Sequence, residues 1–158
     1  MNQSFEINKI VNADPEKLFE KFRNPEEMRK WIFLNDVGKT EIESDFIEGG
    51  NYSVRTSLEN GTPLTWKGVY RAIRPNRSIE YTWSDNDVKH STVKLEFIPL
   101  EEIKTLLRIK QSNFRSIKTM LEHKELWLEL LKHLEEYVDH IMNLTGPNSS
   151  YDAGDSYY

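Results

Sequence analysis

TMLEHKELWLELLKHLEEYVDHIMN, residues 119–143, decides the fold. Met120, Trp127, Leu130, Leu131, Leu134, Val138, Ile141 and Met142 fall on one stripe at the helical period. Glu125, Glu129, Lys132, Glu136, Asp139 and His140 fall opposite. Thr119-x-x-Glu122 has the form of a capping box and places the helix start there. At 1.5 Å per residue such a helix is roughly 36 Å long, enough to cross a small sheet. A helix with one apolar stripe needs a surface to lie on.

The chain before it supplies that surface. From residue 39 to 112 the pattern changes to period two. Ile42 and Phe46 alternate with Glu41, Glu43 and Asp45; Gly49-Gly50 turns the chain; Tyr52, Val54, Thr56 and Leu58 then alternate with polar residues. Asn60-Gly61 is a hairpin signal. Leu64, Trp66, Gly68 and Tyr70 follow in step, and Arg74-Pro75-Asn76-Arg77 is another turn. Ile79, Tyr81 and Trp83 share a face, Ser84 to Asn86 turn again, and Val93, Leu95 and Phe97 run up to Pro99, which is expected to break the strand. Leu107, Ile109 and Gln111 close the set. This reads as about six antiparallel strands joined by short turns, with one apolar, aromatic face.

Upstream, residues 4–12 (SFEINKIVN) read as a further strand. Asp14-Pro15 and Asn24-Pro25 each open a short helix: the polar residue caps, and proline at the first helical position loses no bond. Leu18, Phe19 and Phe22 face inward from the first; Met28, Trp31 and Ile32 from the second. The expectation is an α+β fold. A curved antiparallel sheet of six to seven strands grips the long C-terminal helix, and two short helices fill one end. Residues 1–144 form one domain on this reading, and 145–158, with Gly146-Pro147 and no periodicity, form a mobile tail.

Composition narrows the function classes. The chain has 158 residues, 37% hydrophobic and 30% charged, with a net charge of −5. Its basic residues are scattered, so no nucleic-acid partner is expected. With no cysteine, disulfides and cysteine-ligated zinc are excluded, which suits a cytoplasmic location. The first residues lack a signal-peptide pattern, and no apolar run is long enough to insert into a membrane.

Five motifs in order carry a resemblance. Asn24-Pro25-Glu26-Glu27 through Trp31 is one; Glu48-Gly49-Gly50 with Tyr52 and Val54 is the second. Gly68 through Pro75 followed by Ile79-Glu80-Tyr81-Thr82-Trp83, Leu107-x-Ile109-x-Gln111-Ser112-x-Phe114, and Trp127-x-x-x-Leu131-x-x-Leu134 complete the set. Over about residues 5–140 the chain resembles the SRPBCC superfamily (START-like, birch-pollen-allergen-like). Within it the likeness is to the branch named for the activator of the heat-shock-protein-90 ATPase. The resemblance implies the helix-grip fold. It also implies a pocket between sheet and helix for an apolar small molecule, lipid-, polyketide- or flavonoid-like. A protein-interaction or co-chaperone role, and a hydrolase or cyclase using the same pocket, are the alternatives it leaves.

The expected pocket lining is the inward set Trp31, Phe46, Tyr52, Val54, Trp66, Tyr70, Tyr81, Trp83, Leu95, Leu107, Ile109, Gln111, Phe114, His123, Trp127 and Leu131. For any one aromatic the competing reading is plain core packing. Gln111 continues the inward phase of Leu107 and Ile109, and an unpaired buried amide costs roughly 1–3 kcal/mol, so it must find a partner. His123 borders the inner stripe of the helix. His133 and His140, with Glu136 between them, read as a solvated polar face, and HLEEYVDH is not a zinc-protease motif. No nucleophile elbow, Walker loop or dinucleotide fingerprint occurs. Acid–base candidates reduce to His123 and tyrosine hydroxyls, with Gln111 as a neutral polariser. Enzymatic activity is thus left open, leaning against, and no metal or cofactor is expected. A cavity under a few hundred Å³ would be too small for the usual ligand pocket.

Overall fold

The computed structural model describes residues 2–34, 39–58, 60–101 and 103–145. Seven strands form one antiparallel sheet: β1 (Gln3–Val11), β2 (Glu41–Ser44), β3 (Asn51–Ser57), β4 (Pro63–Arg74), β5 (Ser78–Trp83), β6 (Ser91–Leu100) and β7 (Lys104–Phe114). Their order across the sheet is β1-β7-β6-β5-β4-β3-β2, so β2 to β7 meander and β1 returns to the far edge. Helices α1 (Pro15–Arg23) and α2 (Pro25–Met28) connect β1 to β2, and α3 (Ile117–Thr145) closes the chain. This is the helix-grip α+β architecture. Residues expected as the tail lie outside the described residues from 146 onward.

The sheet bends at β4. Residues up to Val69 pair with β3, and from Tyr70 onward the strand pairs with β5, with a register shift between Tyr70 and Ala72. Gly68 marks the point of closest approach: a Cβ there would lie 1.9 Å from the Thr82 carbonyl oxygen, so no larger residue fits without moving backbone. The Gly49-Gly50 turn folds against the same place. Gly49, with φ of 88°, donates from its N–H to Tyr70 O (2.8 Å), and Tyr70 N–H donates to Gly50 O (2.9 Å).

Both short helices start as expected. Asp14 accepts from Lys17 N–H at 2.8 Å and Asn24 from Glu26 N–H at 3.0 Å. Three local expectations need correction. Helix α3 begins at Ile117, capped by Ser116, whose hydroxyl accepts from Thr119 N–H (3.1 Å); Thr119 is the third helical residue, not the cap. Strand β2 stops at Ser44, so Phe46 lies beyond it, half-buried against the core. Strand β6 continues through Pro99 to Leu100. Phe97 N–H still reaches Arg77 O, but β5 starts at Ser78; two residues on, the Pro99 nitrogen faces a side with no strand, and its missing donor costs nothing.

Helix α3 buries Trp127, Leu130, Leu131, Leu134 and Val138. It lies against β1 and β7 and is tied along its length by polar contacts. Asp139 meets Asn12 (3.2 Å), Glu135 meets Lys9 (2.9 Å), Tyr137 donates to Glu27 (3.0 Å), and His123 meets Asp85 (2.7 Å). His133 is not on a solvated face: its ring stacks flat on Phe33, centroids 4.1 Å apart, and its Nδ1 is buried without a partner.

Candidate functional site

Because α3 leans on β1 and β7, the space it leaves lies over β3, β4 and β5, closed at one end by the short helices. A small cavity of about 50 Å³ sits there. Its wall comes from every layer: Phe22 of α1, Met28, Trp31 and Ile32 at α2, Tyr52 and Val54 of β3, Trp66 and Tyr70 of β4, Ile79, Tyr81 and Trp83 of β5, Leu95 of β6, and Trp127 and Leu130 of α3. The chain's four tryptophans all line it. No charged side chain does, among the described residues.

Nine residues expected in the lining are there: Trp31, Tyr52, Val54, Trp66, Tyr70, Tyr81, Trp83, Leu95 and Trp127. Phe46, Leu107, Ile109, Gln111, Phe114, His123 and Leu131 sit elsewhere in or beside the core. Phe46 packs its edge against Tyr70 and Phe19. Leu107 and Ile109 are on β7, the side of the sheet that α3 covers directly. Phe22, Met28, Ile32, Ile79 and Leu130 line the cavity without having been singled out for it. Each was recognisable as inward-facing, but period alone gives the face and not the position along the sheet.

The aromatic rings pack largely on one another. Trp66 and Trp83 stack at 4.6 Å, Tyr52 meets Tyr81 edge-on at 5.2 Å, and Tyr70 lies 5.4 Å from Tyr52 and 6.0 Å from Tyr81. Three indoles have partners: Trp31 donates to Lys21 O (3.0 Å), Trp83 to Asp85 (2.9 Å) and Trp127 to Gln111 (2.9 Å). Tyr52 donates to Thr82 O (2.6 Å), and the Tyr70 and Ser44 hydroxyls share a bond of 2.8 Å. Neither the Tyr81 hydroxyl nor the Trp66 indole N–H is a buried polar atom left unpaired; among the described residues that position belongs to His133 Nδ1. Burial raises the pKa of Tyr52, Tyr70 and Tyr81 above the ordinary phenol value, so all three stay neutral.

Gln111 is fully buried, and both polar atoms of its amide are bonded. Its Oε1 accepts from Trp127, its Nε2 donates to the Ser91 hydroxyl (3.1 Å), and Ser91 donates to Ser112 O (2.7 Å). The amide is a strut between β7, β6 and α3.

His123 is likewise committed. Its Nδ1 lies 2.7 Å from Thr119 O and its Nε2 lies 2.7 Å from Asp85 Oδ2. Both partners are acceptors when Asp85 is ionised, so the ring carries both protons and the pair is an imidazolium–carboxylate bridge. The two side chains are each only 6% exposed. Burial alone would raise the Asp85 pKa. The bonds from His123, Trp83 and the Asp87 N–H outweigh it and hold the carboxyl at about 2. Burial likewise opposes the charge on His123, and the Asp85 and Thr119 bonds overcome it, so its pKa is raised. Sequence reading placed Asp85 in a turn; nothing in the local pattern shows that this turn reaches the helix 38 residues later.

The family model described as "Activator of Hsp90 ATPase homolog 1-like protein" matches residues 12–139. The chain belongs to that family. Among solved structures it is similar to PFC0360w of Plasmodium falciparum, described as "an HSP90 activator". Identity there is 27% over 86% of this chain and 96% of that one, with a TM-score of 0.67. Protein CV1439 of Chromobacterium violaceum shares the fold with a TM-score of 0.73, 21% identity, and 85% and 96% of the two chains covered. CalU16 of Micromonospora echinospora does so with a TM-score of 0.68, 20% identity, and 89% and 79% covered. No curated protein matches this chain at a significant level. Among the described residues no helix is long and apolar enough to cross a membrane, and no cluster of three or more His, Asp or Glu is placed to hold a metal.

Proposed function

We propose that the family domain in this chain binds a small apolar molecule in the aromatic cavity between β3–β5 and α3. The observation that supports this most is the wall itself. It is apolar and uncharged and drawn from all layers of the fold. Pockets for small molecules have this make-up. At about 50 Å³ the cavity is well below the ~300 Å³ where such pockets begin, so a bound ligand requires a wider wall. Four tryptophans at the site make the test direct. Intrinsic emission, titrated with a panel of fatty acids, flavonoids and polyketides, should shift for at least one class. Flat titrations for every class would end this reading.

A protein-interaction role, of the co-chaperone type, is the second reading. It is favoured by the 27% identity to a protein described as an HSP90 activator. A measured rise in the ATPase turnover of purified Hsp90 on addition of this chain supports it; unchanged turnover counts against it. A hydrolase or cyclase reading would need groups facing the cavity. Gln111 and His123 are both held by protein partners, which leaves tyrosine hydroxyls alone as candidates.

A further inference from the structure

Helix α3 carries three large apolar residues on its outside: Ile117, Leu121 and Leu128 are 58%, 48% and 49% exposed. At 100° per residue they fall within about 40° of one another, on the flank that also carries Glu135 and Asp139. Those two acids reach Lys9 and Asn12, so this flank faces the β1 edge of the sheet. Taken with Lys124, the exposed residues recur at intervals of 4, 3 and 4, which is the spacing of a helix-pairing seam. The seam ends at Leu128, because Leu131, the next position, is buried in the domain's own core.

We propose that this seam binds a second copy of the chain as an antiparallel, two-fold helix pair. It does not depend on what the cavity holds. A two-fold contact must match the seam with itself. In a register centred between Leu121 and Lys124, Ile117 meets the partner's Leu128 and Leu121 meets the partner's Lys124, each contact occurring twice. The Lys124 stem lies along the apolar layer and its ammonium stays in water. The charges beside the seam fit the same register, since Lys118 comes opposite the partner's Glu125, again twice. The Lys118 side chain is 82% exposed, and its bond to Glu122 of the same helix (3.2 Å) is a solvated one, exchanged at little cost. An unrelated amphipathic helix could cover the apolar residues; the match of Lys118 with Glu125 is what selects a copy of this chain. Three half-exposed apolar residues per copy fall short of the roughly 800 Å² per partner of a standard stable interface, so the dimer forms reversibly with concentration.

Sedimentation equilibrium of the full chain, from micromolar to millimolar concentration, should show a reversible monomer–dimer equilibrium. Leu121→Glu should remain a monomer throughout and keep its thermal midpoint, because the side chain it replaces lies half in solvent. Lys118→Glu and Glu125→Lys, each alone, set like charges together in two places and should weaken association roughly tenfold. The two combined restore opposite charges and should recover association close to that of wild type, a result that neither lost folding nor a contact elsewhere produces. Monomer at every concentration overturns the proposal and leaves the seam to a helix of another protein. A dimer that survives Leu121→Glu overturns it by placing the contact on a different face. A double variant as weak as the single ones overturns the antiparallel register.

Discussion

Asp85 and His123 show how single residues fix this molecule. Removing one partner of a buried pair leaves the other charge uncompensated, at about 3–5 kcal/mol. His123→Ala should therefore lower the stability measured by urea unfolding by about 3 kcal/mol. The pH dependence follows from the two shifts. The raised His123 contributes fully below its unfolded value and is lost as pH rises through its higher folded value. The depressed Asp85 contributes above its unfolded value and is lost as pH falls through about 2. The pair is thus strongest between roughly pH 4 and 6.5 and weakens above neutrality. Urea midpoints from pH 5 to 9 should fall for wild type and lose that component in His123→Ala; a parallel decline in both would show that the pair does not titrate as described. Gln111→Leu tests a different bond. It strands the Trp127 indole N–H and should cost about 1–3 kcal/mol, with Trp127 emission changed. Of these residues, Gln111 was legible: its phase put it inside and burial demanded a partner. Asp85 was not, because a turn residue carries no periodicity to reveal its long-range partner.

At the scale of elements, the start of α3 separates a local reading from the real one. Thr119-x-x-Glu122 fits a capping pattern, yet Ser116 three residues earlier does the capping. Ser116→Ala should cost about 1 kcal/mol in urea unfolding, and Thr119→Ala clearly less. Capping patterns recur by chance, and the strand end at Phe114 decides which polar residue stands at the turn. Strand β4 makes a second case. Gly68→Ala places a methyl against the Thr82 carbonyl, where backbone and not a flexible side chain must yield. A loss of about 1–3 kcal/mol is expected by thermal or urea unfolding, and it should loosen Tyr70 and Tyr81 just beyond the bend. Period two found these strands, but not that β4 changes partners midway or that β6 passes through Pro99. Those features depend on where the neighbouring strands end.

For the whole molecule, the question is how tightly the sheet closes on the helix. Leu130 belongs to both core and cavity wall. Leu130→Ala should destabilise by about 2–5 kcal/mol and enlarge the cavity. Apolar cavities made this way stay dry and accept small aromatic molecules, so the variant should bind indole or naphthalene more tightly than wild type, read from tryptophan emission. Equal or weaker binding would mean that the core collapses into the space. The sequence by itself determined the order of strands and helices, the inward face of each, and the family, because period, turn chemistry and capping act over a few residues. The volume left between α3 and the sheet, the division of the aromatic set into wall and filler, and the Asp85–His123 bridge were decided only by the tertiary structure. They depend on where a 29-residue helix comes to rest across a bent sheet, and that is the sum of contacts between residues far apart in the chain.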